Sequence, residues 1–144
     1  KKMSSDELQA LSNRSFGFIA GGSGITPAFQ LVRKFAQLLD QTSISPKLTI
    51  LFSNRHRDDV LLIDELIEFR NMYPDVFNFE LTLTGEVVEG YRQGRVNKGM
   101  IDQVLPYDQI DHVFLSGPPG MWETLFPMLK SLDYDDADCT ELEP

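Results

Sequence analysis

The stretch Phe16-Gly17-Phe18-Ile19-Ala20-Gly21-Gly22-Ser23-Gly24-Ile25-Thr26-Pro27 decides the fold. Its first five residues form the short continuous apolar run of a buried strand, and the residues after Pro27 carry a helical pattern. A strand that feeds a glycine-rich turn and opens a helix presents bare backbone N–H groups and a helix N-terminus to a phosphate. Such a turn needs positive φ at one residue and no Cβ where the backbone approaches a ligand. Pro27 then stiffens the first helical turn. Gly21, Gly22, Ser23, Gly24, Ile25 and Thr26 are therefore candidate phosphate-binding residues, with Ser23 or Thr26 adding a hydroxyl donor.

The pattern Gly22-x-Gly24-x-x-Pro27 differs from the dinucleotide fingerprint G-x-G-x-x-G in its last position. The acidic residue that would take the ribose hydroxyls after the second strand is also missing, since that strand ends in Ser53-Asn54-Arg55. An ordinary dehydrogenase is thereby excluded. Taken alone, the loop also suits a tight strand-to-helix turn with no ligand.

Outward from this stretch the chain alternates. Strands are expected at Phe16–Ala20, Leu48–Ser53, Phe77–Leu83, His112–Ser116 and, at the end, Ala137–Leu142. Helical spacing joins Ala28, Val32, Phe35 and Leu39, then Leu62, Leu66 and Phe69, then Met121, Leu125, Met128, Leu129 and Leu132. Asp58 and Asp59 are expected to cap the second of these helices, and Asn97 a short helix through Ile101 and Val104. Residues 85–97 read as a long loop. Near-continuous apolar strands alternating with helices predict an α/β fold, a doubly wound parallel five-stranded sheet of Rossmann-like order 3-2-1-4-5 with helices on both faces. Residues 1–15 are polar, as a linker or the remnant of an upstream domain, and 16–144 form one domain.

Ligands of open parallel sheets bind beyond the carboxyl ends of the strands. That rule selects the loop after the first strand, then Ser53–Arg57, Thr84–Val88 and Ser116–Met121, all on one rim. The last reads Ser116-Gly117-Pro118-Pro119-Gly120-Met121, a second glycine turn before a proline-stiffened helix entry. Two such turns, on neighbouring strands, wall a crevice sized for a dinucleotide.

Composition restricts what else the chain does. Thirteen Lys and Arg against 22 Asp and Glu give a formal charge of −9, which disfavours nucleic acid and acidic membranes as partners. An anionic ligand must then find the few cations locally, and Arg55 with Arg57, and Arg92 with Arg95, are the close arginine pairs. No run approaches the ~18 to 20 apolar residues of a membrane span. A single cysteine, Cys139, excludes an internal disulfide and a cysteine-cluster metal site, and with two isolated histidines no metal site is expected. His56 reads as a solvated loop residue and His112 as a strand start, without catalytic roles. Glu86 and Glu89 read as solvated carboxylates. Met121 and Trp122 suit packing at the entrance of the last helix.

At these residues the sequence resembles the pyridine-nucleotide domain of the ferredoxin reductase superfamily, most closely the NADH-cytochrome b5 reductase branch. The family's Gly-Gly-Thr-Gly-Ile-Thr-Pro is matched by Gly21–Pro27 with Ser23 for Thr, and its Cys-Gly-Pro-Pro-x-Met by Ser116–Met121 with Ser116 for Cys. Phe52-Ser53-Asn54-Arg55, Thr82-Leu83-Thr84 and Gly94-Arg95-Val96-Asn97 resemble the intervening segments in the same order. The resemblance implies a hydride-transferring flavoenzyme in which NADH, with NADPH admitted, meets FAD held by a separate N-terminal domain. Electrons then pass to an acceptor such as a haem or iron–sulfur protein. The flavin domain's own Arg-x-Tyr-Ser/Thr type motif is absent here. The resemblance further implies that Gly22–Thr26 take the pyrophosphate, that Asn54, Arg55, Thr84 and Gly85 hold the adenosine half, and that Gly117, Pro118, Pro119 and Met121 face the nicotinamide end, with Ser116 beside the hydride path. A cytoplasmic location is implied, or the cytosolic face of a membrane if an anchor lies upstream.

Three departures stand out. Ser116 replaces a larger, more polarisable cysteine, which implies slower hydride transfer. Thr84 stands where the branch has an aspartate that favours NADH, and Arg55, Arg57 or Arg92 is available to a 2′-phosphate. The chain ends Leu142-Glu143-Pro144 where relatives commonly end in an aromatic over the flavin. A non-catalytic nucleotide-binding regulatory module without flavin is the alternative reading.

Overall fold

A computed structural model describes residues 4–144 and, apart from that of Leu8, their side chains. Six strands form one parallel sheet: β1 (Ser15–Gly21), β2 (Lys47–Asn54), β3 (Phe77–Leu83), β4 (Arg92–Gln93), β5 (His112–Ser116) and β6 (Cys139–Glu141). Their spatial order is β4-β3-β2-β1-β5-β6. The five expected strands are all present in the expected order, and the sixth, β4, adds one narrow edge. It lies in the segment read as loop. Its two residues pair with Thr82 and Leu83. They are pinned by side chains: the Thr82 hydroxyl donates to Gly94 O at 2.6 Å, and Arg92 Nε to Glu80 Oε1 at 2.7 Å.

Among the described residues five α-helices accompany the sheet: α1 (Ser5–Ser12), α2 (Ile25–Thr42), α3 (Ile63–Met72), α4 (Lys98–Val104) and α5 (Met121–Ser131). Residue alternation along the central strands sends side chains to two cores. Phe18, Ile50 and Phe52 join Ala28, Val32 and Leu66 under α2 and α3, whereas Ile19, Leu51 and Leu115 join Ile101, Leu125 and Leu129 under α4 and α5. Each fully buried Leu, Ile or Phe contributes about 1.5–3 kcal/mol. Because β1 and β2 bury both faces, they anchor the domain more than any edge does.

One local expectation needs correction and one segment gains detail. Within residues 1–15, read as a linker or the remnant of an upstream domain, lies α1, whose N-cap Ser4 Oγ accepts from Glu7 N at 3.1 Å. Asp58 and Asp59 do not cap α3; they lie in a single 3-10 turn, Arg57–Asp59. The chain first inserts Val60 into the core and then enters α3 through Leu62 at φ 59°, with no side-chain cap. Burial of Val60 outweighs the cap. Asn97 does cap α4, its Oδ1 accepting from Met100 N at 2.9 Å.

At the far edge, the Tyr134 hydroxyl donates to Leu105 O at 2.7 Å, tying the turn before β6 to the end of α4. His112 Nε2 meets Thr140 Oγ1 at 2.7 Å, and burial lowers the imidazole pKa. Burial raises the phenol of Tyr134 and pushes the Cys139 thiol up to about 11 from its ordinary 9.0, with Asp138 adding to both.

β1 and β5 pair in register, Ala20 opposite Ser116, so the turns that follow them are neighbours. Gly24 packs directly on the Ser116 carbonyl, where a Cβ has no room. Gly24→Ala is accordingly expected to cost about 2 kcal/mol or more, because the obstacle is backbone; a urea midpoint equal to that of the parent would contradict this packing. The raised thiol has a second consequence. A group with a raised folded pKa stabilises fully below its unfolded value and loses that contribution as pH climbs to the folded one. Stability is expected to fall between pH 9 and 11, and Cys139→Ala to flatten that part of the pH–stability curve measured by denaturant titration.

Candidate functional site

The parallel register lines up the strand ends. Gly21 stands opposite Ser53, Ala20 opposite Ser116, and Asn54 opposite Leu83, so four strands terminate in one row. Past Gly21 the chain makes one 3-10 turn, Gly22–Gly24, with Gly22 at φ 52°. Ile25 N donates back to Gly22 O and Ser23 O, and α2 starts immediately. A turn this abrupt aims the start of an 18-residue helix along the rim. The second turn is held by Met121 N donating to Pro118 O at 3.2 Å, with Gly120 at φ 88° ahead of α5. Gly117 lies between Gly21 and the Met121 sulfur, where a Cβ would have to displace the Met121 side chain. The two glycine turns touch, as the crevice requires.

The ends of β2 and β3 are zipped by backbone: Thr84 N donates to Asn54 O at 2.9 Å and Gly85 N to Arg55 O at 2.7 Å. Beyond that zip, Arg57 N donates to Glu86 Oε1 at 2.7 Å, so this carboxylate is used structurally. His56 Nδ1 lies 3.4 Å from Asp59 Oδ2 at the surface.

The crevice on this rim has two adjoining lobes that share Gly21, Ser53, Thr84 and Pro118. One, of about 380 Å³, adds Gly22, Ser23, Asn54, Arg55 and Asp59. The other, of about 450 Å³, adds Arg95, Val96, Pro119, Gly120, Met121, Thr124 and Leu125.

Placement of the sequence-derived candidates is uneven. Gly21, Gly22, Ser23, Asn54, Arg55, Thr84, Pro118, Pro119 and Met121 line the lobes. Gly24 and Ile25 are buried beneath the turn, Ser116 is buried at the end of β5, and Gly117 is the hinge between turns. Thr26 and Gly85 are exposed but lie outside the lining. Met121 both packs on the α4–α5 core and faces the crevice, whereas Trp122 packs and stacks on Phe126 at 4.6 Å. Arg92 is committed to Glu80 and Gln103 and does not line the crevice. Thr124 and Leu125 line it without having been singled out for the site; their spacing of three and four residues from Met121, on a helix that begins at the rim, is the signal that marks them.

Two polar atoms at this site are buried without a hydrogen-bond partner, Asn54 Nδ2 and Ser116 Oγ. Ser116 is 1 % exposed and Asn54 8 %. An orphaned buried polar group costs about 1–3 kcal/mol, so a fold that retains two, at the ends of the strands flanking β1, leaves them for something else. Among the described residues no other buried side-chain nitrogen or oxygen is orphaned.

Comparison with known proteins agrees with this geometry. The model of the oxidoreductase NAD-binding domain family matches residues 18–125. NADH-cytochrome b5 reductase 2 of Neosartorya fischeri is 36% identical over 121 residues, covering 81% of this chain and 36% of that protein. NADH-cytochrome b5 reductase 1 of Arabidopsis thaliana is 36% identical over 124 residues, 84% of this chain and 43% of that protein. The chain thus spans about two fifths of the length of these relatives. Among solved structures, the cytochrome b5 reductase domain of Ulva prolifera nitrate reductase superposes with a TM-score of 0.79 at 25% identity, covering 90% of this chain and 50% of that one. With the family model over three quarters of its length and relatives above 30% identity, the chain belongs to the oxidoreductase NAD-binding domain family of the ferredoxin reductase superfamily, alongside the NADH-cytochrome b5 reductases.

Proposed function

We propose that this domain binds NADH or NADPH and positions its nicotinamide for hydride transfer to FAD held by a separate flavin-binding domain, with electrons passing on to a haem or iron–sulfur acceptor. The observation that carries the reading is the pair of abutting glycine turns, together with the orphaned Asn54 amide at the end of β2 and Ser116 hydroxyl at the end of β5. A dinucleotide fits these residues. Its pyrophosphate suits the turn Gly22–Gly24 at the start of α2, where backbone N–H groups and the helix dipole favour an anion. Its sugars and bases offer acceptors to Asn54 Nδ2 and to the hydroxyls of Ser23, Ser53 and Thr84.

The domain supplies position rather than proton chemistry. The nicotinamide delivers hydride and the flavin accepts it when both are bound. Gly21 lines the crevice without a side chain, Pro118 and Pro119 stiffen its wall, and Ser116, buried beneath the second turn, is assigned to support the reacting end. Names of the relatives point to cytochrome b5 as the class of acceptor.

Binding to the folded state raises stability by RT ln(1 + [L]/Kd), about 2.7 kcal/mol at a hundredfold excess over Kd. NADH is therefore expected to raise the melting temperature by several degrees, and a flat response to both NADH and NADPH at millimolar concentration would refute the reading. With the flavin domain supplied, bleaching of the flavin absorbance separates a reductase from a regulatory nucleotide-binding module, for which the absorbance stays constant.

Ser116→Ala gives a sharper check, because removing an orphaned hydroxyl relieves a cost. The ligand-free variant is expected to be as stable as the parent, or up to about 1 kcal/mol more stable, while nucleotide affinity or flavin reduction falls. Destabilisation of the ligand-free protein would instead show that the hydroxyl has a partner within the fold.

A further inference from the structure

Met121 stands at the junction of the two glycine turns. Its side chain is half-buried and lines the larger lobe of the crevice. Its sulfur lies against both turns: a Cβ on Gly21 would stand 3.6 Å from it, and a Cβ on Gly117 would overlap it. The other described methionines are placed differently. Met100 is buried and Met128 packs on the α4–α5 core, whereas Met72, 59% exposed at the end of α3, does not line the crevice. Cys139 competes poorly for an oxidant, because it is buried and its thiol is pushed up to about 11, which leaves little thiolate at neutral pH.

We propose that Met121 is an oxidative modification site, at which hydrogen peroxide forms the sulfoxide and thereby closes the crevice to its nucleotide. The inference rests on the dinucleotide reading above and adds a regulation of that site. A sulfur lone pair attacks one peroxide oxygen and the O–O bond breaks. The departing hydroxide takes the proton of the transferred hydroxyl and leaves as water, so the sulfur is oxidised by two electrons and the peroxide reduced. The thioether is apolar and adaptable, whereas the sulfoxide is polar and larger. On the Gly117 side there is no space for another atom, so the new oxygen is directed into the crevice. The neighbouring wall residues Pro118 and Pro119 carry no N–H to meet it. When a ligand displaces the water there, this acceptor is left unpaired; if the second turn shifts to relieve it, Gly117 leaves Gly21. Either response works against binding. A methionine sulfoxide reductase with a dithiol as reductant reverses the change, yielding the thioether, a disulfide and water.

The test treats the full chain with hydrogen peroxide over a time course, quenches it with free methionine, maps the peptides by mass spectrometry, and follows NADH and NADPH binding by calorimetry. Met121 sulfoxide is expected to accumulate, and the nucleotide that the untreated chain binds is expected to bind the oxidised chain about tenfold more weakly. The loss is expected to run in step with oxidation of Met121 and not with that of Met72. Saturating nucleotide present during treatment is expected to slow oxidation at Met121 and to leave that at Met72 unchanged. Met121→Leu, a swap of similar volume, is expected to keep its own untreated affinity after peroxide, whereas Met72→Leu loses affinity as the parent does. An unmodified Met121 beside a fully oxidised Met72, unchanged affinity at full Met121 oxidation, or an equal loss in Met121→Leu overturns the proposal and leaves the dinucleotide reading standing. Failure of the untreated chain to bind either nucleotide overturns both.

Discussion

The site depends on one steric constraint, the seating of Gly24 on the carbonyl of Ser116. Parallel pairing of β1 with β5 brings the two residues to the same level, but only a residue without a Cβ lets the chains close to backbone contact. From that contact the rest follows: the turn Gly22–Gly24 is held down, α2 starts at the rim, and Gly117 is pressed against Gly21. The buried sheet behind it, with Ile19 and Leu51 fully enclosed on one face and Phe18 and Phe52 on the other, makes this edge rigid. Rigidity is what the proposed positioning of a nicotinamide requires.

Much of the architecture was legible in the sequence because its signals are local. Phe16–Ala20 and His112–Ser116 are short apolar runs closed by glycine turns, and the helices behind them have clear apolar stripes. What escaped was decided by tertiary contact. Two residues, Arg92 and Gln93, have no strand pattern of their own; they become an edge strand because Thr82 and Glu80 on β3 reach out to hold them. The start of α3 was misread because Asp58 and Asp59 look like caps, while the burial of Val60 shifts the helix to Ile63.

The site was legible to a similar degree. Glycine and proline spacing located both turns, since such spacing reflects backbone geometry. It did not separate residues that line the crevice from those that support it: Gly24, Ile25 and Ser116 lie beneath the surface, whereas Thr124 and Leu125 reach the crevice from the face of α5. Sequence also left the arginines equivalent. Structure distinguishes Arg92, engaged by Glu80 and Gln103, from Arg55 and Arg95, which line the cleft.

Both outer strands of the sheet are very short, two residues in β4 and three in β6. Unpaired strand edges invite other chains to add on and seed aggregates, and brevity is one protection against that. Arg92 adds a charged side chain on one border, and the acidic turn Asp135–Asp138 precedes the other. The sheet therefore ends in borders too small to recruit a stray strand.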